Sequence, residues 1–256
     1  MKNAIVSRTQ WLEARRALLA REKEHTRQRD ELARARRELP WVRITEPYTF
    51  EGPGGPLTLA ELFQGRSQLL VYHFMFGPDL AEGCPSCSLI ADHIDGALVH
   101  LEQRDVTLKA VSGAPLERLE AFRRRMGWRF PWVSSNGSSF GHDFGVSFTE
   151  EELARGQVTY NFELGPAMVD ELPGISAFFR DECGDVYHTY SAYARGCEGP
   201  LGVYAWLDLA PKGRDEDGLA FSMAWVRHHD RYGPDYAVDH AAGYAPPAGA
   251  SAAPRS

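Results

Sequence analysis

The chain is poor in cysteine, with 4 in 256 residues, too few to staple a fold of this size. It also has no long apolar run. The longest, Leu69 to Phe76, is interrupted by His73 and falls far short of the about 20 residues that a membrane-crossing helix needs. Residues 1–20 mix Lys2, Arg8, Arg15 and Arg16 with Glu13, and hold no uninterrupted apolar stretch leading to a small-residue cleavage site. The expectation is a cytoplasmic protein with no membrane partner. In a reducing compartment cysteines serve catalysis or metal binding more often than structure.

What is present is ordinary for a globular chain: 43% hydrophobic, 25% charged and 11% aromatic residues, which excludes a collagenous or largely disordered protein. The length predicts one domain with extensions. Charge is uneven, since residues 1–40 hold eleven Lys/Arg and six Asp/Glu while the remainder carries a net −12. The acids are interleaved with the bases, as on a solvated helix. With an acidic body and no zinc-finger or RNA-binding signature, nucleic acid is not an expected partner.

Residues 8–38 contain neither Gly nor Pro and are rich in strong helix formers; Ser7 and Gln10 have capping-box spacing, and Pro40 supplies the stop. Trp11, Leu18, His25, Leu32 and Leu39 recur every seven residues, a seam too narrow and polar for an independent coiled coil. It predicts a helix that packs on its own domain or on a second copy in a homodimer. Tyr48 to Phe50 and Pro56 to Thr58 read as a hairpin, Leu69 to Phe76 and Val106 to Ser112 as strands, and Ile175 to Phe179 with Val186 to Tyr190 as a second hairpin. Leu89 to Leu101 places its apolar residues on one helical face, and a further helix follows Pro115. The resulting expectation is an α/β layer fold with a mixed sheet. It assigns residues 1–40 to an N-terminal helical extension, 41–210 to the main domain, 211–240 to a C-terminal helical extension and 241–256 to a disordered Ala/Pro/Gly/Ser-rich tail.

The chemistry-bearing motif is Gly83-Cys84-Pro85-Ser86-Cys87, set between the buried strand and the amphipathic helix. A thiol at a helix N-terminus faces unpaired N–H groups and the positive end of the helix dipole, both of which favour the thiolate. A second cysteine one turn on can attack a mixed disulfide and release the partner. Proline suits the first turn, where its missing donor is not needed. A zinc half-site is the alternative, but neither Cys183 and Cys197 nor His228 and His229 supplies a matching second ligand pair. Cys183 and Cys197 read as unremarkable thiols.

The segments Val71 to Gly77, Gly83 to Cys87, Ala110 to Ser112 with Gly127 to Trp132, Leu172 to Ser176, and Trp225 to Asp230 resemble the thioredoxin and peroxiredoxin superfamily. Together they resemble an uncharacterised bacterial thioredoxin-like family of predicted dithiol-disulfide isomerases. The resemblance implies a thioredoxin-like fold, a mixed central sheet flanked by helices, with Cys84 as attacking thiol and Cys87 as resolving thiol. It implies that Pro173 matches the cis-proline facing the redox pair, and that Pro85, Pro173 and Gly174 contact substrate. The expected partners are a disulfide-containing protein or small thiol substrate and an external dithiol reductant; no cofactor is required.

Several positions depart from the family pattern. No Trp precedes Cys84, and Ala81 stands where peroxiredoxins carry a threonine three residues before their reactive cysteine, which weighs against peroxidase activity. The strand before the motif offers no carboxylate as a proton acceptor. His73 is the available substitute, and a satisfied core histidine is the simpler reading. A thiol peroxidase and a non-catalytic copper- or zinc-binding module, with His228 and His229 folded back on the cysteines, remain as alternatives.

Overall fold

The computed structural model describes residues 3–232 and divides into two compact units after Trp41. The first contains one long helix, α1 (Arg8–Arg37), opened by the capping box in which Gln10 N–H donates to Ser7 Oγ at 3.3 Å and Ser7 N–H donates to Gln10 Oε1 at 3.0 Å. Arg34, Arg36 and Arg37 in the last turn oppose the negative end of the helix dipole. No residue of α1 is buried.

The second unit contains β1 (Val42–Arg43), β2 (Thr49–Gly52), β3 (Gly55–Thr58), α2 (Leu59–Leu62), β4 (Gln68–His73), α3 (Pro85–Ala91), α4 (Asp95–Glu102) and β5 (Val106–Ser112). It continues through α5 (Leu116–Arg125), β6 (Trp132–Ser134), α6 (Phe140–Asp143), α7 (Glu150–Arg155), β7 (Gln157–Tyr160) and β8 (Glu163–Pro166). Then follow β9 (Gly174–Arg180), β10 (Val186–Tyr193) and α8 (Gly202–Leu209). Eight strands form one sheet in the order β1-β10-β9-β4-β5-β6-β2-β3, while β7 and β8 form a separate hairpin. Strands β4, β5 and β6 are parallel, and β9 is antiparallel to both β4 and β10. A strand, helix and parallel strand followed by an antiparallel hairpin, ordered β10-β9-β4-β5, make the thioredoxin-like core of this mixed α/β fold.

The central strand β4 is apolar along its length because both faces of the sheet are covered. Leu69 and Val71 join Val111, Val133, Phe140 and Phe178 in one core, and Tyr72 joins Phe74, Phe76, Cys87, Phe122 and Trp132 in the other.

The structure departs from the sequence expectation in four places. The strand expected over Leu69 to Phe76 ends at His73. The helix expected through Leu101 is broken between Ala91 and Asp95. There His93 Nδ1–H donates to Leu89 O at 2.7 Å, and Asp92 turns away to receive Trp128 Nε1–H at 2.7 Å. In place of a helical C-terminal extension, the described residues beyond α8 run in turns, ending in a 3-10 turn at His229–Arg231. The Leu172–Pro173 peptide is trans, as are all the described ones. The tail expected over 241–256, with residues 233–240, lies outside the described residues. No described helix is long and apolar enough to cross a membrane.

Candidate active site

The chain leaves β4 through Phe74 and Met75, and Met75 O accepts the N–H of Cys84 at 3.1 Å, which brings the motif back against the strand end. Gly83 is dictated by packing: a Cβ there would stand 2.6 Å from Phe74 and 2.9 Å from Phe122. Cys84 is the N-cap of α3 and Pro85 its exposed first residue. Cys84 is half-buried, Cys87 is 1% exposed, and the two approach to 3.8 Å as free thiols.

This geometry separates the two sulfurs chemically. The Cys87 thiol, the backbone N–H groups of Cys87 and Ser86 and the Ser86 side chain all direct hydrogen bonds at Cys84 and hold its pKa down at about 6, against the opposing effect of burial. Burial, followed by the hydrogen bond to Cys84, pushes Cys87 well above the ordinary thiol value. At neutral pH the half-buried sulfur of Cys84 is therefore the thiolate and the fully buried one of Cys87 the proton-bearing thiol.

A cavity of about 270 Å³ opens beside the pair, lined by Cys84, Cys87, Pro173, Cys197, Tyr204 and Met223 among others. Tyr160, on β7, clamps its rim by donating to Pro173 O at 2.7 Å while accepting the N–H of Ala194 at 2.8 Å. The structure thus gathers Cys84, Cys87, Pro85 and Pro173 at one place. Gly174 is not part of the cavity lining; it opens β9 beneath the Tyr193 ring, where a Cβ would be 2.9 Å from ring carbon.

His73 is also not brought to the cysteines. It faces the opposite side of β4, stacked on Phe140 and Phe144 at centroid distances of 5.5 and 5.9 Å, with Nε2 bonded to Ser176 Oγ at 2.8 Å. Burial lowers its pKa to about 3, so it is a satisfied core histidine. Its neighbour Tyr72 instead lies beside the redox pair: the Tyr72 hydroxyl, buried in the same core as Cys87, donates to Cys87 O at 3.3 Å. Sequence reasoning missed Tyr72 because both faces of β4 are apolar, leaving strand parity undetermined.

Of the other cysteines, Cys183 is exposed in the turn between β9 and β10. Cys197 is buried, donates to Ala192 O at 3.4 Å, and is pushed by burial to about 12. The two histidines of the C-terminal segment do fold back. His228 Nε2–H donates to Gly83 O at 2.8 Å and its Nδ1 accepts from Arg125 at 3.2 Å, while His229 bonds Asp92 at 2.7 Å. They buttress the motif rather than join it. Among the described residues no three His, Cys, Asp or Glu side chains converge as metal ligands.

Comparison with known proteins places the chain in a family. Residues 1–232 match the model of the bacterial proteins of unknown function DUF899. The chain belongs to this DUF899 family. No functionally curated protein matches it. Among solved structures, a cysteine-to-serine mutant of peroxiredoxin Q from Xanthomonas campestris is similar at 13% identity and TM-score 0.46, over 66% of this chain and 97% of that one. Peroxidoxin BcpB from Mycobacterium tuberculosis is similar at 14% identity and TM-score 0.43, over 64% and 94%. A hypothetical protein from Sinorhizobium meliloti is similar at 18% identity and TM-score 0.39, over 67% and 85%. Likenesses this distant bear on no step of the chemistry, which stands on the site itself.

Proposed function

We propose that this DUF899 protein is a thiol-disulfide oxidoreductase. The observation that carries the reading is the division of labour between two sulfurs 3.8 Å apart, one half-exposed and held as thiolate at a helix start, the other buried and protonated behind it. Cys84 thiolate attacks a substrate disulfide, forming a mixed disulfide and expelling one substrate sulfur as thiolate, which takes up a proton. Cys87 then loses its proton to solvent or to the leaving sulfur and attacks Cys84. The second substrate thiol departs, and a Cys84–Cys87 disulfide holds the two electrons' worth of oxidation. An external dithiol returns the pair to its reduced form.

Cys84 is the group that touches substrate. Pro173, on the wall of the adjoining cavity, and Pro85, exposed beside Cys84, are read as substrate contacts. A disulfide-containing protein or a small disulfide fits this chemistry. The exposed Trp11, Leu18 and Leu32 of α1 are read as a surface for a second copy of the chain, which sedimentation at several concentrations would detect as a dimer.

The test is a redox titration in glutathione or dithiothreitol buffers with mass mapping. It should show one reversible bond between Cys84 and Cys87, and a Cys87→Ser variant should accumulate mixed disulfides on Cys84. Independent titration of the two thiols, with no bond between them, would rule the mechanism out. Peroxide converting Cys84 to sulfenic acid much faster than free cysteine would instead favour the peroxidase alternative.

A further inference from the structure

A second cavity, of about 200 Å³, lies beside the redox cavity, and Met75 lines both. Its polar wall comes from the end of β5, the loop after β6, the turn after α6 and the segment entering β9, with Ser112, Ser135, Asn136, Ser147 and Glu171. The disulfide chemistry described above uses none of them.

Glu171 sets this cavity apart. Its Oε2 is closed off from solvent and has no hydrogen-bond partner in the structure. The carboxyl occupies a slot made by two glycines. A Cβ at Gly113 would stand 2.8 Å from Oε1, and one at Gly77 would stand 3.4 Å from the carboxyl carbon. The N–H of Phe76 donates to the carboxyl, and the other end of that same peptide group, Met75 O, accepts the N–H of Cys84 at 3.1 Å. One peptide group thus separates this acid from the backbone of the nucleophile.

A buried carboxyl with an open acceptor is costly when ionised unless a cation or donors meet it. Burial, with the neighbouring charge of Asp170, raises Glu171 to about 7. His73 of β4 also lines the cavity, but burial holds it at about 3, so it supplies no positive charge. No Lys or Arg is among the lining residues, and no cluster fit for a metal ion is present among the described residues. A small organic cation would supply the counter-charge that no side chain of the lining supplies.

We propose that this cavity seats the primary ammonium end of a small disulfide or thiol substrate, received by the Glu171 carboxylate, with the sulfur end on the Cys84 side of Met75. The inference rests on the oxidoreductase reading and names the substrate class for it. Above pH 7 the ionised carboxylate gains its counter-charge from the ligand, and below it the protonated acid gains little.

Two pairs of probes test the seat and the chemistry separately. The redox-inert pair is 1,6-diaminohexane and 1,6-hexanediol, matched in length and differing in charge. The reactive pair is cystamine and bis(2-hydroxyethyl) disulfide. Calorimetric titration of the wild-type protein should show the diamine binding about tenfold or more tighter than the diol, as expected of a charged hydrogen bond. That preference should grow between pH 6 and 8 and vanish in Glu171→Gln. Cystamine should be reduced with about tenfold higher kcat/KM than the hydroxyl analogue by wild type, and at equal kcat/KM by Glu171→Gln. Equal affinity of wild type for diamine and diol, a preference that survives Glu171→Gln, or equal turnover of the two disulfides overturns the proposal. The wild-type comparisons need no variant to fold. If the diamine preference stands while neither disulfide is reduced, the ammonium seat is supported and it is the oxidoreductase reading that falls.

Discussion

Tyr72 and His73 are adjacent in the chain and belong to opposite cores, because successive side chains on a strand alternate between faces. The alternation decides which residue accompanies the redox pair and which is buried on the far face, near His188. His73 has a folded pKa of about 3 against an ordinary 6.5, a lowered value, so its stabilising contribution is complete above pH 6.5 and is lost as pH falls toward 3. The loss is on the order of 3–5 kcal/mol. Urea denaturation at pH 7 and pH 4 should show a steeper loss for wild type than for His73→Gln, and equal slopes would refute the assignment. At Cys84 the leading cause of the lowered pKa is the hydrogen bond from the Cys87 thiol. Alkylation of wild type by iodoacetamide should inflect near pH 6, whereas Cys87→Ala, which deletes that donor, should move the inflection toward the ordinary value of 9.0. An unmoved inflection would assign thiolate stabilisation to the backbone donors and the Ser86 side chain.

At the scale of elements, the features written in local pattern were legible and those decided by tertiary contacts were not. The capping box of α1, the β2–β3 hairpin, β5, α5 and the β9–β10 pair follow from spacing, turn residues and apolar runs. The CxxC motif was legible as chemistry because its two cysteines are local in sequence. The break between α3 and α4 was not, because it is set by donors from distant segments: Trp128 and His229 on Asp92, and Val203 N–H on His93 Nε2. β1 and β6 are two and three residues long and carry no periodicity of their own. The β7–β8 turn places Asn161 and Phe162 at φ 53° and 67°, without the glycine that marks such turns. Glu171 is not legible in the sequence because it sits outside any motif and its carboxyl is enclosed through tertiary contacts, among them the close approach of Gly77 and Gly113. Gly83 joins the two levels, since it reads as motif and acts as packing. Gly83→Ala should destabilise the protein by about 1–3 kcal/mol through the clash with Phe74 and Phe122. It should also slow Cys84 alkylation by displacing the start of α3; chemical denaturation and alkylation rates measure the two effects.

Across the whole second unit, the C-terminal segment closes the site. Ser222 and Met223 form part of the redox cavity wall, and the segment is held by a charge network in addition to the apolar packing of Met223, Trp225 and Val226. Arg125 on α5 makes a bidentate pair with Asp230 at 2.8 and 2.9 Å, a further pair with Glu82 at 2.8 Å, and a hydrogen bond to His228. Glu82 in turn binds Arg231, so the loop before the motif and the end of the described chain share one network. These groups are a quarter to half exposed, and a pair that is partly solvated contributes modestly; removing one partner should cost about 1–2 kcal/mol. The larger consequence is access. Arg125→Met keeps the bulk of the side chain against Phe122 and deletes the charge, freeing the segment from α5. Cys197, 2% exposed beneath the cavity wall, should then react with Ellman's reagent under native conditions, whereas in wild type only the exposed Cys183 and the Cys84–Cys87 pair, through attack by Cys84 and resolution by Cys87, should release chromophore quickly. Raising salt should move wild type toward the variant, because a charge-held wall weakens with screening. Unchanged thiol reactivity in Arg125→Met, with the cavity still closed, would show that apolar contacts of Met223 and Val226 suffice to hold the segment in place.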